Sequence, residues 1–88
     1  MNVRYFAAAR SAAGVEEERF ELPAGSTVES LLAAMLDVER PEPPAGTPPL
    51  DRILARSSFL LNEVAVRDRT TVLADSDVVD VLPPFAGG

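Results

Sequence analysis

Ser26-Thr27-Val28-Glu29-Ser30-Leu31-Leu32-Ala33-Ala34-Met35-Leu36-Asp37-Val38 is the stretch on which the fold turns. Val28, Leu31, Leu32, Met35 and Leu36 recur at i, i+3, i+4, i+7 and i+8, a single apolar stripe along an α-helix. Ser26 and Glu29 have the spacing of a capping box, with Ser26 as N-cap and Glu29 reaching back to it. The pattern predicts a helix over 27–38 whose stripe faces the domain's own core.

Upstream, Val3, Tyr5, Phe6 and Ala7 predict a strand within 3–9. Ser11 to Gly14 reads as a turn. Val15 to Leu22 reads as a second strand, with Glu18, Phe20 and Leu22 on one face and Arg19 and Glu21 on the other. The two strands would form an antiparallel hairpin. The run Glu16–Glu17–Glu18 reads as a solvated face.

Downstream, residues 39–51 hold five of the eight prolines and predict an exposed, semi-rigid loop. Leu50, Ile53 and Leu54 fit a short helical turn that closes the core. Phe59 to Leu61 and Val64 to Val66 read as strands around a tight Asn62-Glu63 turn. Asp75 to Asp77 reads as a turn. Val78 to Leu82, apolar apart from Asp80, reads as a central strand. The order β-β-α-β-β-β predicts an α+β fold, a mixed sheet of about five strands with one main helix on one face.

The 88 residues are enough for one domain, expected at 1–82, followed by an extended tail at 83–88. Chains this short bury about 60% of their unfolded surface, so little stability is spare. The net charge of −6 argues against a nucleic-acid partner. No apolar run approaches the roughly 20 residues of a membrane span. The first residues lack a signal-peptide pattern, and a cytoplasmic location is the expectation.

The missing residue types narrow the chemistry further. The chain has no Cys and no His, and all eight of its basic residues are Arg. Thiolate, imidazole and lysine-amine chemistry are therefore closed to it, and no metal site is expected. Carboxylates, hydroxyls, guanidiniums and the chain ends remain, which argues against an enzyme that acts alone. The last strand runs into Pro83-Pro84-Phe85-Ala86-Gly87-Gly88. Two prolines end sheet pairing and hold the backbone extended. Two glycines make the thinnest peptide available. Such a tail reaches roughly 20 Å and can thread a narrow pocket, carrying the Gly88 carboxylate in with it. Small residues are also common at frayed termini; the Pro-Pro step and the lack of any other reactive group favour the working tail. Residues after Pro84 are expected to be mobile in the free protein. A carboxylate is a poor electrophile until activated. Adenylation by a separate enzyme, then sulfide attack, would give a thiocarboxylate and let a Cys-free protein carry sulfur.

VRYFAAAR-SAAG, TVESLLAAM and FLLNEVAVRDRTTVLADSDVVDVLPPFAGG resemble the MoaD/ThiS family of ubiquitin-like sulfur carriers, within it most of all the small subunits of molybdopterin synthase. The resemblance leaves out only the proline-rich loop. It departs at Asp75-Ser76-Asp77, where relatives often have Asp-Gly-Asp, and at Phe85, where a small aliphatic residue is common. It implies a β-grasp fold with the first and last strands as parallel neighbours. It also implies a Gly88 carboxylate adenylated and then thiocarboxylated, with ATP used by the activating partner and no cofactor bound by this chain. The implied partners are an E1-like adenylating enzyme of the MoeB/ThiF type and a large catalytic subunit of the MoaE type, which receives Pro83, Pro84, Phe85, Ala86 and Gly87. Phe6 and Leu82, on strands that bracket the tail, are the candidate docking patch. Sulfur carriage for thiamine or cysteine synthesis, conjugation of Gly88 to lysines, and an inert ubiquitin-like interaction module remain open as alternatives.

Overall fold

The computed structural model describes residues 1–84, so the expectations placed on Phe85, Ala86, Gly87 and Gly88 lie outside the described residues. Strand β1 (Asn2–Tyr5), helix α1 (Ala8–Ala13), strand β2 (Glu17–Arg19), helix α2 (Val28–Leu36), helix α3 (Leu50–Arg56) and strands β3 (Ser58–Leu61), β4 (Val64–Ala65) and β5 (Val78–Leu82) follow in order. The strands make a five-stranded sheet in the order β2-β1-β5-β3-β4. The β1–β5 pair is parallel and the other pairs are antiparallel. This is the β-grasp arrangement, with the last strand at its centre.

Strand periodicity decides which side chains enter the core. Val3 and Tyr5 of β1, Phe59 of β3, and Val79 and Val81 of β5 are buried on the side where the helices pack. Val28, Leu31, Leu32 and Met35 of α2 meet them, with Leu50, Ile53 and Leu54 of α3 closing the cluster. The stripe read from the sequence is the buried face, except that Leu36 is 47% exposed at the helix end. Leu32 is 6% exposed. Its replacement by Ala is expected to cost about 2–5 kcal/mol, read from chemical denaturation.

Three expectations are corrected. The first strand stops at Tyr5, and residues 8–13 form a helix where a turn was expected at 11–14. Ala7 takes φ 51, and the Ala9 N–H donates to Phe6 O at 3.0 Å, so the chain turns sharply off the sheet. The alanine-rich segment beyond it favours helix intrinsically, buries Ala9, Ala12 and Ala13, and ends at Gly14 with φ 80. A helical crossing, not a tight hairpin, therefore joins β1 to β2, and β2 shrinks to Glu17–Arg19.

The second correction is the cap of α2. Thr27, not Ser26, is the N-cap, and Ser30 replaces Glu29 as its reciprocal partner. The Ser30 N–H donates to Thr27 Oγ1 at 3.3 Å, and the Thr27 N–H donates to Ser30 Oγ at 2.7 Å. The third is Glu18, which faces inward to an arginine while its neighbours Glu16 and Glu17 stay exposed. The proline-rich loop is exposed over most of its length, as expected, and is pinned at its start by Arg40, whose side chain is 10% exposed and donates into the body of the domain.

The Asn62-Glu63 turn has positive φ at both residues, 49 and 71. Asn62 ties it to the start of β5: its Nδ2 donates to Asp77 Oδ1, and its Oδ1 accepts from the Val78 N–H, both at 2.9 Å. The Ala74 N–H donates to Asp77 Oδ2 at 2.7 Å. That backbone bond, then Asn62, holds the Asp77 carboxyl below its ordinary pKa. A depressed folded value means stability that is present above the unfolded pKa of about 3.9 and is lost as pH falls through the folded one. Thermal unfolding followed from about pH 5 to about pH 2 should therefore show a smaller drop in Tm for Asp77→Asn than for the native chain.

Among the described residues no helix is long and apolar enough to cross a membrane.

Candidate functional site at the root of the tail

The tail leaves the middle of the sheet, because β5 is bonded on both sides and leads directly into Pro83. Pro83 is half-buried and Pro84 exposed, and neither continues the strand beyond Leu82. Two residues without a backbone N–H cannot extend the ladder, which fixes the exit point at the end of β5. The tail is therefore anchored by a strand whose Val79 and Val81 are 0% exposed.

The parallel register pairs Arg4 with Asp80 and Tyr5 with Val81. Phe6 and Leu82 follow these pairs one residue on, so the structure brings together the two side chains named for the docking patch. Phe6 is 40% exposed and Leu82 half-buried. Both stand beside the exit of the tail.

Just behind them lies a feature that the sequence reading left unassigned. Asp80 is 5% exposed, at the centre of the central strand, on the sheet face opposite the helices. Burying a carboxylate is costly unless it is paired. Arg4 supplies the pair in a bidentate fork, Nε to Oδ1 at 2.6 Å and Nη2 to Oδ2 at 2.8 Å. The fork ties β1 to β5 directly below Phe6 and Leu82, and the Asp80 bond, with its charge, raises the Arg4 pKa. Leu60 is the partner of Asp80 on the β3 side. The signal was available in the sequence: an acidic residue inside an apolar central strand requires a cation, and Arg4 stands at the alternate position of β1.

A second polar cluster lies across the domain and was also missed. Glu18 accepts from Tyr5 Oη at 2.8 Å and from Arg40 at 2.8 and 3.0 Å. Burial, then the bond to Glu18, pushes the Tyr5 phenol far above its usual range. This group fastens β1, β2 and the loop after α2, and offers no open reactive atom.

The sequence model of the ThiS family matches residues 3–88. The chain is 38% identical over 89 residues to the molybdopterin synthase sulfur carrier subunit of Chlamydomonas reinhardtii, covering 100% of this chain and 98% of that one. Among solved structures it is similar to a putative molybdopterin converting factor subunit 1 from Pyrococcus furiosus (27% identity, TM-score 0.72, covering 96% of this chain and 95% of that one). It is also similar to a chain in the complex of subunits 1 and 2 of the molybdopterin-converting factor from Helicobacter pylori (26% identity, TM-score 0.62, covering 99% and 96%).

Proposed function

This chain belongs to the ThiS family, and from that premise we propose that it is the sulfur carrier subunit of a molybdopterin synthase, working through the C-terminal carboxylate of Gly88. The observation that carries the reading is the full-length likeness to a molybdopterin synthase sulfur carrier subunit, at 38% identity. The solved complex of two converting-factor subunits supports a large partner subunit that supplies the catalytic site. The central position of β5 supports a tail presented from a rigid base.

The chemistry follows from what the chain lacks. With no Cys, His or Lys, its working group is a carboxylate that another protein must activate. An E1-like adenylating enzyme of the MoeB/ThiF type joins the Gly88 carboxylate to the α-phosphate of ATP and releases pyrophosphate. Sulfide equivalents from a donor then displace AMP and leave a thiocarboxylate. The large subunit, of the MoaE type, receives the tail from Pro83 to Gly87 and takes the sulfur toward the dithiolene of molybdopterin. Phe6 and Leu82 dock beside it, and the cytoplasm is the compartment in which ATP, sulfur donor and partner would meet.

Intact mass tests the first half of this cycle. After incubation with an adenylating enzyme, ATP and a sulfur donor, the chain should gain about 16 Da, one oxygen replaced by sulfur at the activated acyl group. An unchanged mass under conditions that load a related carrier would leave an inert interaction module as the better reading.

A further inference from the structure

The open sheet face at the tail root is apolar at Phe6, Leu60 and Leu82, yet a charged pair sits in its middle. Asp80 uses both oxygens on Arg4, and Arg4 uses Nε and Nη2 on Asp80. The Arg4 side chain remains 39% exposed, and its Nη1 has no hydrogen bond among the described residues. The pair is neutral as a unit. Around it the balance is negative: Glu17 is the register partner of Arg4 on β2, and Glu63, in the turn after β3, is close enough to act on Arg4. Any protein that accepts the tail comes down over this face, since the tail leaves from its end. Covering Arg4 strips water from Nη1, and a buried donor without an acceptor is costly.

We propose, building on the carrier reading above, that Arg4 held by Asp80 is a specificity-determining contact for the protein that receives the tail. That partner presents a carbonyl acceptor over Arg4 Nη1, inside an apolar surface that meets Phe6, Leu60 and Leu82, with basic side chains facing Glu17 and Glu63. A neutral acceptor fits better than a carboxylate, because a further negative charge would face Glu17 and Glu63 over a pair already balanced. Basic groups at the rim match both these residues and the net charge of −6. The fork exists in the free chain, so the donor edge is oriented before the partner arrives.

The single change Arg4→Leu strands a buried carboxylate and threatens the fold, so the informative variant replaces the pair as a unit, Arg4→Leu with Asp80→Val. Apolar replacement of a whole ion pair is commonly neutral for stability. Binding to a large synthase subunit is measured by calorimetry, beside thermal unfolding and sulfur loading by mass. The expected result is an unchanged Tm with a dissociation constant raised about tenfold or more. A Glu17→Arg, Glu63→Arg variant should slow association and reverse its salt dependence. If the native chain loads sulfur and the paired variant binds as tightly as the native chain, this proposal falls and the carrier reading stands. If the native chain neither loads nor binds, both fall. A native chain that dimerises through this face, and loses the dimer in the paired variant, would assign the surface to a second copy and overturn the proposal.

Discussion

A chain lacking Gly88 should unfold at the native temperature and transfer no sulfur. The two halves of this expectation have separate physical grounds. Among the described residues, stability resides in a core whose last member in sequence is Val81, and in a sheet whose last strand ends at Leu82. Removing a residue six positions later is expected to leave both intact. In the proposed cycle, transfer depends on placing one carbon in near-contact with the adenylate site and then with the acceptor, where a misplacement of 1 Å can cost about a hundredfold. Deleting one extended residue moves the carboxylate back by about 3.5 Å. One residue added after Gly88 fails in the opposite way, since the correct carbonyl is then locked in a peptide bond. Gly87→Val widens the thinnest part of the tail and restricts its backbone, and should impair transfer too. A reconstituted activation assay read by intact mass, beside thermal melts, separates these effects. If the shortened or extended chain gains and passes on sulfur like the native one, Gly88 is not the working residue.

The largest stability loss is expected at Arg40→Ala. The Arg40 Nη1 donates to Ala13 O at 3.2 Å and to Glu18 Oε2 at 3.0 Å. Its Nη2 donates to Met35 O at 2.9 Å, Tyr5 Oη at 3.3 Å and Glu18 Oε1 at 2.8 Å. The guanidinium also stands 5.7 Å from the Tyr5 ring centroid. One side chain thus joins the ends of α1 and α2 to β1 and β2, and its Nε is buried without a hydrogen-bond partner among the described residues. Truncation leaves the Glu18 carboxylate, 19% exposed, without its counter-charge, and leaves two backbone carbonyls short of a donor. Breaking one side of a buried pair costs on the order of 3–5 kcal/mol. In a domain this small that corresponds to a fall in Tm of more than about 10 °C. Glu18→Gln should cost less, because it keeps an acceptor and removes the charge. A loss under about 1 kcal/mol for Arg40→Ala would show that water replaces the guanidinium at little cost.

Regular periodicity made α2, α3, β3, β5 and the turn at Asn62-Glu63 readable from the sequence, as it did the central place of β5. In each, local pattern and tertiary burial point the same way. The segment after Tyr5 was not readable in this way. Its alanines fit a strand end or a helix equally well by apolarity, and the outcome rests on the positive φ of Ala7, an unusual conformation for a residue with a side chain. Two adjacent capping patterns, Ser26 with Glu29 and Thr27 with Ser30, competed one residue apart, and the isolated bridge from Thr27 to Val72 fixes which is used. Arg40 looked like one more residue of a proline-rich loop, since nothing local marks a side chain whose partners lie 5 to 35 positions away. Of the candidate site, Phe6, Leu82 and the proline step were legible because strand parity and chain order place them. Asp80 marked itself as an acid in need of a cation, but its pairing with Arg4 spans 76 residues, and the register that selects that arginine is set only by the assembled sheet.

That register has a consequence for how the molecule is made. The strand at the middle of the sheet is the last of the described strands to be synthesised, and its neighbours are the first strand on one side and β3 on the other. A nascent chain can form α2 early, from local contacts, but cannot close its hydrophobic interior until residue 82 is available. Fragments that stop short of that point leave β1 and β3 with unpaired edges and Val3 and Phe59 uncovered, a state suited to degradation or aggregation. Completion of the fold therefore acts as a proofreading step on synthesis: a molecule compact enough to survive has been translated through β5.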